Sequence, residues 1–122
     1  MLSSGRSSAV LVVSHDPVLR ETYTILFEQA GYTAQAADLS HSLGRLKSSR
    51  FSALVIDHTL SKEERKSLVH VARQLAPHAK TVVFHRSAGD CGADLAMDSR
   101  EGAVAILDRL KALVDRGGIP RA

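Results

Sequence analysis

Three short stretches of the chain are almost wholly apolar: residues 9–13 (AVLVV), 51–56 (FSALVI) and 81–84 (TVVF). Continuous, β-branched runs of this length predict strands covered on both faces, the signature of a parallel sheet. Between them the apolar period becomes helical. Asp16 followed by Pro17 supplies an N-cap and a first-turn proline; Leu19, Tyr23, Leu26 and Ala30 then recur on one face, and Gly31 stands where a helix stops. Residues 32–37 (YTAQAA) form a weaker, alternating strand, and 40–49 a short helix carrying Leu43 and Leu46. Ser61 and Glu64 make a capping box that opens a helix with Leu68, Ala72 and Leu75 on its apolar face, ended by Pro77. Residues 93–97 give a short fifth strand. Ser99 caps a last helix whose Ala103, Ile106, Leu107, Leu110 and Leu113 form a stripe ending before Gly117 and Gly118. Alternating strands and helices of this kind predict an α/β three-layer sandwich.

A length of 122 residues is one domain, since compact domains most often hold about 100 to 150. We expect tails at 1–8 and 116–122 around a body at 9–115. One cysteine, Cys91, excludes an internal disulfide framework and multi-cysteine metal clusters, and points to a reducing compartment. No apolar run approaches the roughly 18 to 20 residues of a membrane span, and the polar N-terminus lacks a signal peptide's apolar core, so the cytoplasm is the expected location and no membrane contact is expected. The net charge of +3 invites a nucleic-acid reading. Its distribution argues against it: the 13 Lys/Arg between Ala9 and Asp115 equal the 13 Asp/Glu, and the excess lies in Arg6, Arg116 and Arg121. The clusters Arg45, Lys47, Arg50 and Lys62, Arg65, Lys66 read as solvated helix sides, and no nucleic-acid partner is expected.

In an open parallel sheet, chemistry gathers beyond the carboxyl ends of the strands. There the sequence places Ser14, His15 and Asp16 after the first strand, Asp57 and His58 after the third, and His85 and Arg86 after the fourth. Asp57 ends a rigid apolar strand, which suits a functional acid as well as a solvated strand terminator. His15, Asp57 and His85 together would be a ligand set for Zn²⁺ or a divalent iron-type metal. His41, His70 and His78 fall on or near helices as surface residues. Gly89 and Gly92 lack the Lys-Ser/Thr of a phosphate-binding loop, and no G-x-S-x-G, H-E-x-x-H or G-x-G-x-x-G occurs, so an independent enzyme is not expected.

The residues VLVVSHDPVLR at 10–20, ALVID at 53–57, TVVF at 81–84 and GAD at 92–94 together resemble the receiver domain of bacterial two-component response regulators. The resemblance covers Ala9 to about Asp115. It implies a flavodoxin-like fold with five parallel strands in the order 2-1-3-4-5, and a phosphoacceptor role for Asp57 toward a histidine kinase. Several positions depart from the family's pattern. The acidic pair that holds Mg²⁺ after the first strand reads Ser14 and His15, with Asp16 better explained as a helix cap. The hydroxyl residue after the fourth strand is His85, with Ser87 two positions late. The lysine ending the fifth strand is absent near Asp98 or Ser99. Six residues separate His85 from Gly92, too few for a helix of about 10 residues, so the fourth family helix is expected to be shortened or missing. Phosphoryl transfer depends on charge neutralisation that Mg²⁺ and lysine normally provide. The expectation is a stand-alone, divergent receiver-like domain in phosphorelay signalling, with Asp57 retained and its Mg²⁺ ligands mostly missing, contacting a histidine kinase or a downstream regulator. The alternatives are a pseudo-receiver acting as a protein-interaction module or homodimer, and a small metal-binding protein using His15, Asp57 and His85.

Overall fold

The computed structural model describes residues 8–85, 93–98 and 102–118. Along the chain it places β1 (Ala9–Val13), α1 (Pro17–Gln29), β2 (Thr33–Ala37), α2 (Leu39–Ser48), β3 (Ala53–Ile56), α3 (Lys62–Leu75), β4 (Lys80–His85), β5 (Leu95–Asp98) and α4 (Ala103–Gly118). The five strands form one parallel sheet in the order β2-β1-β3-β4-β5. This is the α/β three-layer sandwich expected from the alternation, in the flavodoxin-like strand order that the resemblance implies.

Strand parity divides the core in two, because successive side chains leave a strand on opposite faces. Leu11, Val13, Leu54 and Ile56 pack with Leu46 of α2 and Leu68, Val69 and Ala72 of α3. Val10, Val12, Ala53, Val55, Val82 and Phe84 pack on the other face with Tyr23 and Phe27 of α1 and with Ile106, Leu110 and Val114 of α4. Side chains of this kind stabilise by about 1.5 to 3 kcal/mol each when fully buried. The start of β5 is tied to β4 by a polar clasp: Asp94 Oδ2 accepts from the Thr81 N–H at 2.8 Å, and the Asp94 N–H donates to Thr81 Oγ1 at 3.0 Å.

The helix signals act as read. Asp16 Oδ1 accepts from the Val18 N–H at 2.9 Å, and the Ser61–Glu64 capping box is closed in both directions. Gly31 follows α1 with φ +100°, a left-handed conformation that favours glycine. Four details differ. The second helix starts at Leu39, one residue earlier, because Asp38 is its cap; its inward face is Leu39, Ser42 and Leu46, which turns Leu43 outward. On α3, Leu68, Val69 and Ala72 are buried, whereas Leu75, the last helical residue, is exposed. The fifth strand lies at Leu95–Asp98, later than expected. The last helix continues through Gly117 and Gly118, since a glycine costs a helix only about 1 kcal/mol and does not by itself stop one. The shortened fourth helix and the Ser99 cap fall on residues outside those described. Among the described residues no helix is long and apolar enough to cross a membrane.

Candidate functional site: a buried acid at the end of β3

The pairing Val13↔Ile56 places the residues that follow, Ser14 and Asp57, side by side. By parity both point to the α1 face, in line with Val12 and Val55. There the Asp57 N–H donates to the Val13 carbonyl at 3.0 Å and the Ser14 N–H to the Ala37 carbonyl at 3.2 Å, so the ladder continues one step past each strand. Asp57 and Ser14 are both 0% exposed.

The hydrogen bonds around Asp57 have a direction that can be worked out from donor counts. A hydroxyl has one hydrogen and two acceptor lone pairs. Ser14 Oγ donates to Asp57 Oδ2 at 2.9 Å, so the contact between Ser14 Oγ and Thr59 Oγ1 at 3.1 Å must carry the threonine's hydrogen. Thr59 Oγ1 in turn accepts from the His15 N–H at 2.8 Å, and the second lone pair of Ser14 accepts from the Asp16 N–H at 3.1 Å. The result is a chain from the His15 amide through Thr59 and Ser14 to the carboxylate, each member polarising the next. Longer contacts come from the Thr59 N–H to Oδ2 at 3.4 Å and from the Tyr23 hydroxyl to Oδ1 at 3.5 Å. Hydrogen bonds to a charged acceptor are roughly twice as strong as neutral ones, which is what allows an acid to be enclosed here. Arg20 braces the turn by donating to the Ser14 carbonyl at 2.7 Å.

The histidines separate. His15 takes the opposite parity to Ser14 and reaches α3, where its Nε2 lies 3.1 Å from Glu64 Oε1. Glu64 is held below the usual carboxylate range, first by the Ser61 N–H and then by His15. His58 is the histidine beside Asp57, with Nδ1 at 3.0 Å from Oδ1. That nitrogen is buried and close to the carboxylate, yet it forms no hydrogen bond. His85 ends β4, paired with Asp98, and its side chain, like Arg86 and Ser87, lies outside the described residues. His41, His70 and His78 are exposed, as expected.

Mg²⁺ requires several oxygen ligands in near-octahedral order. The described residues do not fit it: Asp16 caps α1, Glu64 closes the α3 capping box, and Asp57 is the carboxylate of the cluster. Among the described residues no group of three His, Cys, Asp or Glu is arranged to hold a metal ion. Sequence reasoning found Asp57, Ser14 and the Asp16 cap. It passed over Thr59 and the Tyr23 hydroxyl, for which the available signals were a hydroxyl residue two positions after the acid and the one polar tip on the inward face of α1.

No protein-family model matches the sequence, and no curated protein matches it. Solved structures do. A CheY-like response regulator receiver domain protein from Methanospirillum hungatei superposes with a TM-score of 0.77 at 19% identity, over 92% of this chain and 97% of that one. A two-component response regulator from Clostridium difficile gives 0.80 at 15% identity, over 90% and 98%. A response regulator from Burkholderia pseudomallei, solved with a phosphorylated aspartic acid, calcium ion and citrate, gives 0.76 at 21% identity, over 90% and 70%. The chain therefore has the fold of response-regulator receiver domains.

Proposed function

We propose that this chain is a receiver-fold module of two-component signalling in which Asp57 is a structural acid, and that it works in the cytoplasm by contacting proteins rather than by catalysis. The observation that carries this reading is the donor chain ending on Asp57. A phosphoacceptor needs a carboxylate oxygen open to in-line approach and cations to receive the transferred charge. Here Oδ2 takes the Ser14 hydroxyl, Oδ1 is faced by His58 and Tyr23, and the carboxylate is closed to solvent. Neutral hydroxyl and amide donors take the positions in which acidic residues would hold Mg²⁺. A histidine kinase or a downstream regulator is then a docking partner. Nucleic acid and membrane are not the expected partners, because the charge of the body balances.

A second reading keeps Asp57 as the phosphoacceptor, and one observation favours it: Asp57 closes β3 of the same fold on which the Burkholderia pseudomallei protein carries a phosphorylated aspartic acid. Incubation with acetyl phosphate and Mg²⁺, followed by intact-mass measurement, separates the two. We expect no mass gain. A gain of one phosphoryl group that disappears in Asp57→Asn would overturn the structural reading.

A further inference from the structure

A second strand-end acid, Asp38, stands beside an open notch of about 320 Å³ at the end of β2, lined by Arg20, Ala36, Ala37, Asp38, His41 and Arg45. Small side chains that end the edge strand, Ala36 and Ala37, form part of its wall. Its volume lies at the lower end of the range for small-molecule sites, about 300 to 1,000 Å³.

Two permanent cations face it. A guanidinium carries five N–H donors in a planar fork suited to phosphate. The described bond of Arg20 to the Ser14 carbonyl accounts for one of its five, and that of Arg45 to Gln35 Oε1 at 2.8 Å for one of its own. Asp38 lines the same notch with an uneven load. The Ser40 hydroxyl at 2.9 Å, the His41 N–H at 3.0 Å and His41 Nδ1 at 2.7 Å all meet Oδ1. That arrangement caps α2 while Oδ2 remains suited to accept a hydroxyl. An acid at the end of the second strand is where dinucleotide-binding α/β folds accept a ribose hydroxyl. Here the loop after β1 has no glycine-rich phosphate cradle, and the two arginines offer the phosphate contacts instead.

We propose that the notch at the end of β2 binds a nucleoside monophosphate, its phosphate held by Arg20 and Arg45 and a ribose hydroxyl donated to Asp38. The proposal is independent of whether Asp57 accepts phosphate. Because Arg20 also holds the Ser14 carbonyl, occupancy of the notch pulls on the residue whose hydroxyl bonds Asp57.

Amide NMR titrations of the full chain at low ionic strength test it, using AMP and inorganic phosphate as probes. The expected result is saturable AMP shifts centred on Arg20, residues 36–41 and Ser14, with a Kd of about 1 mM or tighter and weaker binding of phosphate alone. Arg45→Gln, at an exposed position, should weaken AMP by about tenfold, the worth of one charge-assisted contact. Asp38→Asn keeps the helix cap and should weaken AMP without changing phosphate. Shifts that do not saturate, an unchanged AMP affinity in folded Arg45→Gln, or phosphate binding as tightly as AMP would each overturn the assignment.

Discussion

Asp57 and Asp38 occupy equivalent places in the chain, each the first residue after a parallel strand, and their surroundings are opposite. Asp57 follows β3, in the middle of the sheet, with β1 and β4 on either side and helices over both faces. Asp38 follows β2, at the sheet edge, and is partly exposed, with 38% of its side chain open to solvent. At the centre a carboxylate persists only with donors converging on it, and Ser14, Thr59 and Tyr23 do so. At the edge water shares the task, and the acid is available to cap α2 and border an open notch. Sheet position, rather than residue type, decides which of two strand-end acids is enclosed and which can meet a ligand.

The largest effect expected from disturbing this contrast is Ser14→Asp. It removes the one strong donor and buries a second carboxylate against the first, with an expected cost of at least about 3 kcal/mol in urea unfolding, partly recovered by added Mg²⁺. Loss of less than about 1 kcal/mol would show that the central pocket is more open than the geometry allows. Next comes Asp57→Ala, expected to lose about 2 to 4 kcal/mol, because it orphans the Ser14 hydroxyl and leaves a small void. Asp57→Asn keeps the shape and an acceptor oxygen and should lose clearly less. Tyr23→Phe should be smaller again, below about 1 kcal/mol, since the hydroxyl contact at 3.5 Å is long while the ring's packing on Phe27 and Phe84 is retained.

The smallest effect belongs to the edge. Asp38 is lowered from 3.8 to about 2, chiefly by its hydrogen bond with His41. A lowered carboxyl favours folding above its unfolded value, and that contribution is lost as pH falls from 3.8 toward about 2. Glu64 acts in the same direction. Acid unfolding of Asp38→Asn should therefore be slightly flatter than wild type below pH 3.8, a small change because the group is solvent-exposed. An unchanged acid limb would argue that His41 does not hold Asp38 in solution.

Much of the fold was legible because local signals agreed with one another. The apolar runs at β1, β3 and β4, the Asp16-Pro17 start and the Ser61–Glu64 box each specify one element. Element limits slipped where the signal was indirect, as at α2, whose cap Asp38 precedes the first apolar position, and at β5, whose polar flank is engaged with Thr81. The site was legible only in part. Asp57 and Ser14 could be named from strand ends, but the grouping of His15 with Asp57 ignored parity. Ser14 continues the inward series of β1 and His15 must take the other side, toward Glu64. Thr59 and Tyr23 became visible only once the register Val13↔Ile56 was known, because hydroxyl groups that converge across 45 and 34 residues leave no local trace.

Ser14 and Asp57 act as one enclosed unit. A double-mutant cycle with Ser14→Ala and Asp57→Ala, read by urea unfolding, measures this directly. The predicted coupling is about 1.5 to 3 kcal/mol, that of a buried hydrogen bond to a charged group; strictly additive losses would contradict it.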